Sequence, residues 1–119
     1  MTQRSTGTSD RELAAFNAKA TGADDENGEP VGGLTGWTWG GTCGVSMLWV
    51  HADHRAGGWG GKLLAAAEDQ ARRRGCARMV LSSFTFQAPD FYRRHGYVET
   101  GRAEGYPAGN AQVHFLRTL

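Results

Sequence analysis

Residues 48–64, Leu-Trp-Val-His-Ala-Asp-His-Arg-Ala-Gly-Gly-Trp-Gly-Gly-Lys-Leu-Leu, run from an apolar strand through a glycine-dense turn directly into a helix. A strand feeding a helix this way sets a row of backbone N–H donors at a positive helix end, because the first turn has no intrahelical acceptors for them. Glycines at 57, 58, 60 and 61 remove the side chains that would hold a ligand away, and they tolerate unusual φ/ψ. A diphosphate is the natural guest of such a place. The plainer reading is a strand-to-helix loop that is glycine-rich because the chain is, with 18 glycines in 119 residues.

A chain of 119 residues suits one domain, expected to span 1–119 with 1–8 polar and loose. The formal net charge of +1 supplies no global field for nucleic acid or an acidic membrane. Asp24, Asp25, Glu26 and Glu29 form an acidic stretch and Arg72, Arg73 and Arg74 a basic one, and both read as solvated surface. Cys43 and Cys76 belong to no C-x-x-C pair, which leaves neither a zinc knuckle nor a redox motif, so no metal is expected. Two free, buried thiols fit a reducing compartment. There is no apolar run of bilayer length and no signal-peptide core, so the expected location is the cytoplasm.

Ser9 and Glu12 resemble a capping box, which predicts a short helix to about Ala20, stopped by Gly22. Asn27-Gly28 is a hairpin dipeptide with nothing strand-like before it. Val31–Thr38 and Val45–Val50 read as an antiparallel pair turned by Gly40-Gly41. A helix follows from about Trp59 to Arg74, with Leu63, Leu64, Ala67 and Ala71 as its apolar stripe and Gly75 at C′. Ala77–Phe84 reads as a strand, Ala88–His95 as a short helix ended by Gly96, and Tyr97–Arg102 and Gln112–Leu116 as strands around a loop at 101–110. The expected class is α/β, a mixed and mostly antiparallel sheet with flanking helices.

With that layout, the chain resembles the GCN5-related N-acetyltransferases, which move an acetyl group from acetyl-CoA to an amine. Arg55-Ala56-Gly57-Gly58-Trp59-Gly60 matches the family's R/Q-x-x-G-x-G/A segment, and Phe91-Tyr92-Arg93-Arg94-His95-Gly96-Tyr97 resembles its F-Y-x-x-x-G-F/Y helix. The likeness covers about residues 31–119. It implies a V-shaped splay between the strand at 45–50 and the one at 77–84, with the donor wedged inside.

The resemblance also implies roles. Backbone amides of Ala56, Gly57, Gly58, Trp59, Gly60 and Gly61, aided by Arg55, would hold the pyrophosphate. Main-chain groups of Leu48, Trp49 and Val50 would pair with the pantetheine in the manner of an added strand. Tyr92 matches the tyrosine that protonates the departing thiolate. Where many relatives carry a carboxylate base the chain has Ser46. It either relays through water to Asp53 or His51, or takes a substrate that arrives neutral, or leaves positioning to supply the acceleration. Phe86 and Gln87 would border the acceptor, and Trp37, Trp39, Phe86 and Tyr106 either line an aromatic pocket or pack in the ordinary way.

Three departures from the family follow. The segment ahead of Val31 looks too short for the usual N-terminal strands, so Val31–Thr38 is expected either to pair with a second copy in a homodimer or to be covered by the N-terminal segment. Trp59 replaces an aliphatic residue and is expected beneath the helix. Gly57 stands where relatives carry a polar side chain. The leading expectation is acetylation of a primary amine of a small molecule, with a catalytically weak acyl-CoA-binding domain acting through dimerisation as the alternative. A nucleotide-binding domain reading ATP is the weaker third reading, because the chain lacks the Gly-Lys-Ser/Thr ending of a P-loop: Lys62 is followed by Leu63.

Overall fold

The computed structural model describes residues 14–21, 30–51 and 57–119. Along these the chain forms β1 (Ala14–Thr21), β2 (Pro30–Trp39), β3 (Thr42–Val50), α1 (Trp59–Arg73), β4 (Arg78–Phe84), α2 (Pro89–Arg94), β5 (Val98–Tyr106) and β6 (Asn110–Thr118). The strands make one mixed sheet in the order β1-β2-β3-β4-β6-β5, with β3 and β4 parallel and the other neighbours antiparallel. The α/β class expected from the sequence is the one observed.

Both helices cover one face of the sheet. Leu63, Leu64, Ala67 and Ala71 of α1 pack on Leu34, Cys43, Met79, Leu81 and Phe115, and α2 adds Phe91 and Tyr92 to the same core. Each helix ends in a Schellman motif. Gly75 takes φ +80°, its N–H reaches Arg72 O at 3.0 Å, and Cys76 N reaches Ala71 O at 2.9 Å. Gly96 repeats this at φ +89°, with Gly96 N on Arg93 O at 3.1 Å and Tyr97 N on Tyr92 O at 3.0 Å. The pair of glycines therefore fixes where both crossovers turn back to the sheet.

The other face carries no helix among the described residues. Two tryptophans cover cross-strand glycines there. A β-carbon on Gly33 would stand 2.7 Å from Trp49 Nε1, and one on Gly44 would overlap the Trp37 ring at 2.2 Å. Each ring lies where its strand partner has no side chain, since Gly33 faces Trp49 and Trp37 faces Gly44 in register.

Several expectations are corrected. The helix predicted to run to Ala20 is instead β1 from Ala14, paired with β2 from Ala14 opposite Thr38 to Thr21 opposite Pro30. Alanine-rich segments favour a helix locally, but pairing along a whole neighbouring strand overrides a propensity worth tenths of a kcal/mol per residue. So a strand does precede β2, and the chain's own N-terminal segment covers the edge. The homodimer through 31–38 loses its basis, because β2 has β1 on one side and β3 on the other. The loop expected over 101–110 is mostly strand, with a single 3-10 turn at Pro107–Gly109. Ser9, Glu12, the acidic stretch and Asn27-Gly28 lie outside the described residues.

Candidate active site

The sheet is torn at its centre. β3 and β4 hold parallel register at only three positions, Thr42 with Arg78, Cys43 with Met79 and Gly44 with Val80. Immediately beyond, Gly36 opposes Val45 while Thr35 opposes Met47, so Ser46 is the extra residue of a β-bulge in β3. A bulge bends its strand and sharpens the local twist. Here it turns β3 away from β4, and the V-shaped splay implied by the resemblance is present.

The gap is a cleft of about 790 Å³. One wall is β3 from Val45 to Val50, and the other is β4 from Leu81 to Phe84 with Gln87 and Ala88. Gly58, Gly60 and Gly61 of the α1 amino-terminus close the helix side together with Phe91, Tyr92, Arg94 and His95 of α2. A second hollow of about 380 Å³ reaches the helix-free face beside Trp37 and His114 and shares Val45, Ser46, Leu81 and Ser82 with the first. The opening between the strands thus reaches both faces of the sheet.

The α1 amino-terminus is built for an anion. Gly58 is the N-cap at φ +74°, no side chain caps the turn, and the first turn holds no acidic residue. The glycines divide their work in a way the sequence did not show. Gly58 faces open space, whereas a β-carbon on Gly60 would meet Phe91 at 3.2 Å and one on Gly61 would meet His95 Nε2 at 2.9 Å. Gly60 and Gly61 are therefore where α2 packs onto α1, and only Gly58 needs its conformational freedom. Trp59 is not beneath the helix as expected. It folds back over Gly57, whose β-carbon would lie 2.9 Å from Trp59 Nε1, and Lys62 Nζ stands 4.4 Å above its ring.

Leu48, Trp49 and Val50 lie on the β3 wall. His51 N donates to Val31 O, so by strand alternation the main chain of Leu48 turns toward the cleft rather than toward β2. The Trp49 side chain takes the helix-free face and is 41% exposed. Ser46 is exposed in the throat of the cleft.

Tyr92 borders the cleft with its ring edge-on to Phe91 (5.1 Å) and Tyr97 (6.1 Å) and tilted against Phe115 (5.9 Å). Burial raises its hydroxyl above the ordinary phenol range, which keeps the proton on at neutral pH. Behind it, Tyr97 donates a 2.8 Å hydrogen bond to the buried Glu68, which also takes Arg117 at 2.9 Å. Burial first, then the Glu68 contact, pushes the Tyr97 hydroxyl far up.

Gln87 accepts the Phe84 N–H at 2.8 Å while its own N–H reaches Phe84 O at 2.9 Å, which latches the turn at the end of β4. Phe86 is exposed and stacks on Phe84. Of the tryptophans considered for an aromatic pocket, Trp37 covers Gly44, and Trp39 lies at the far end of β2 opposite Thr42. Arg55, Ala56 and Asp53 lie outside the described residues. Arg94 and His95 are cleft residues that sequence reasoning missed. Their signal was spacing, since His95 follows Phe91 by one helical turn and binds its carbonyl through Nδ1 at 2.8 Å.

A helix amino-terminus opening on a rift between two parallel strands, with a protonated phenol at its edge, defines a transferase that uses an acyl-CoA donor. The Acetyltransferase (GNAT) family model matches residues 3–97. The chain is 43% identical over 102 residues to blasticidin-S acetyltransferase of Streptomyces morookaense, covering 82% of this chain and 73% of that protein. The 1.9 Å crystal structure of an acetyltransferase from Bacillus cereus superposes with a TM-score of 0.82 at 36% identity, over 90% of this chain and 74% of that one. A Bacillus anthracis structure in complex with acetyl coenzyme A shares the fold with a TM-score of 0.69 at 17% identity, over 77% of this chain and 57% of that one. The chain belongs to the GNAT acetyltransferase family, and acetyl-CoA is its acyl donor. Among the described residues no helix is long and apolar enough to cross a membrane, and no cluster of His, Cys, Asp and Glu could hold a metal ion.

Proposed function

We propose that this enzyme acetylates a primary amine of a small molecule. The observation that carries the reading is the rift between β3 and β4 with Tyr92 on its border, which leaves room for an amine opposite the helix that receives the donor's phosphates. The relative at 43% identity is named for one acceptor compound, blasticidin S, which supports a discrete small molecule over a protein.

In this reading the amides of Gly57 to Gly61 hold the pyrophosphate, and Arg94 on the same wall favours an anion there. Arg55 and Ala56 join the cradle by sequence alone. The main chain of Leu48 and Val50 receives the pantetheine amides, whereas that of Trp49, expected to share this role, turns to Gly33 of β2 in step with His51; an N–H of the cleft edge polarises the thioester carbonyl. The amine nitrogen bonds to the acetyl carbon as the carbon–sulfur bond breaks. Tyr92 gives its proton to the leaving thiolate and recovers one from the proton lost by the amine through solvent. Ser46, in the throat, accepts a hydrogen bond from the amine and orients it. Phe86 and Gln87 flank its entry.

The test is amine-dependent release of coenzyme A, with the acetylated product identified by mass spectrometry. Wild type should turn over, and Tyr92→Phe should lower kcat by about a hundredfold, as loss of a general acid does. Tight acetyl-CoA binding with no release on any amine of a broad panel would overturn the reading.

A further inference from the structure

On the helix-free side, both lips of the rift are apolar and exposed. Met47 and Trp49 on β3 are 57% and 41% exposed, and Phe86 beyond β4 is 67% exposed. Phe84 lines the cleft itself, and Phe86 stacks on it nearly parallel, with centroids 5.4 Å apart and planes 13° apart. Tyr106 meets Phe84 edge-on at 5.0 Å and 77°. These rings are held rather than loose. Gln87 latches the Phe84 main chain, Tyr106 donates to Gln112, and Trp49 lies against Gly33. Rigid aromatic surface left in water at a cleft mouth marks a ligand face, since nothing within the described chain offsets its exposure.

Hydroxyls of Ser46 and Ser82 stand between the two lips in the throat. We propose that the acceptor carries its amine on, or one carbon from, a flat π-electron ring, aryl or heteroaryl. The ring lies between Trp49 and the Phe84–Phe86–Tyr106 block and presents the nitrogen to the serines. Aromatic side chains prefer offset or edge contacts with another ring, and the block already displays both geometries. An acceptor of this shape fills the helix-free mouth while the donor enters from the helix side. The inference rests on the acetyltransfer reading above and adds the acceptor's class.

The test compares benzylamine with cyclohexylmethylamine, which match in reach and differ in flatness, with kcat/KM taken per neutral amine because benzylamine is the weaker base. Wild type should favour benzylamine in kcat/KM by about tenfold. Phe86→Leu, an exposed change that keeps the fold, should bring the ratio to within about twofold of unity. Equal rates in wild type, or an unchanged ratio in Phe86→Leu, would overturn the proposal. Ligand-observed NMR of both amines in the presence of coenzyme A reads the same preference without chemistry. If neither amine is acetylated yet benzylamine alone binds, the ring site stands, and the transfer reading is decided by the broad amine panel. Equal binding of the two removes the ring site whatever the turnover.

Discussion

The amide of Tyr97 donates to the carbonyl of Tyr92 at 3.0 Å, and the same tyrosine lays its ring edge on the Tyr92 ring at 6.1 Å. This is the Schellman closure of α2 with its accompanying apolar contact. Because the Tyr97 hydroxyl is tied to Glu68, the proton donor proposed here is aimed from α1 through Tyr97. Tyr97→Phe should therefore lose about 1.5–3 kcal/mol of stability, the usual worth of a buried bond to a carboxylate. It should also lower kcat more than it raises KM for acetyl-CoA. Urea melts and steady-state kinetics on one preparation check both, and an equal effect on kcat and KM would contradict the positioning role.

Burial raises the Tyr92 hydroxyl above its ordinary value of 10.0. A group that must be protonated to act loses function as pH climbs through its own pKa. The alkaline limb of kcat due to Tyr92 should thus have its midpoint at a higher pH than a free phenol would give. The pH profile of Tyr92→Phe should lack that limb.

Gly61 and His95 offer a double-mutant test. A β-carbon at 61 meets His95 Nε2 at 2.9 Å, and the imidazole is anchored by its Nδ1 contact with Phe91 O. Gly61→Ala alone should push α2 off α1 and weaken acetyl-CoA binding, despite the helix-propensity gain. In a His95→Ala background the same change should stabilise by about 0.5–1 kcal/mol. Thermal melts and calorimetric titration of all four proteins close the cycle.

Cys43 is fully buried, and burial above all, with the neighbouring Cys76 adding, pushes its thiol up to about 12. In the unfolded chain the thiol ionises near its ordinary value of 9.0. Between the two values the folded state keeps a proton that the unfolded state has released, so stability falls as pH rises through this window. Tyr97 acts in the same direction. Urea midpoints should decline from about pH 9 upward. Cys43→Ala, though less stable at neutral pH, should show a shallower decline.

What the sequence made legible was mostly local. Gly75 and Gly96 mark both helix ends, because a left-handed C′ residue is a local demand that glycine meets. Leu63, Leu64, Ala67 and Ala71 gave the buried stripe of α1 by spacing alone. The segment Ala14–Thr21 reads as helix because Ser9 and Glu12 resemble a capping box, while the strand that claims it lies beyond residue 29. Gly60 and Gly61 looked like room for a ligand, and only the folded contact with α2 shows otherwise. The Glu68–Tyr97–Arg117 cluster joins three distant segments, yet it left one hint: a carboxylate next to the apolar stripe of α1 has to find a partner indoors. The rift itself came from family resemblance, and its physical cause, the bulge at Ser46, has no mark in the sequence.

Because β3 and β4 part company after three residues, the hole between them has two mouths. A guest lodged at one mouth leaves the other unobstructed, so neither substrate needs to wait for its partner to depart. Both can be aboard together, and in the proposed reaction the spent carrier and the acetylated acceptor can each leave by the door through which it came.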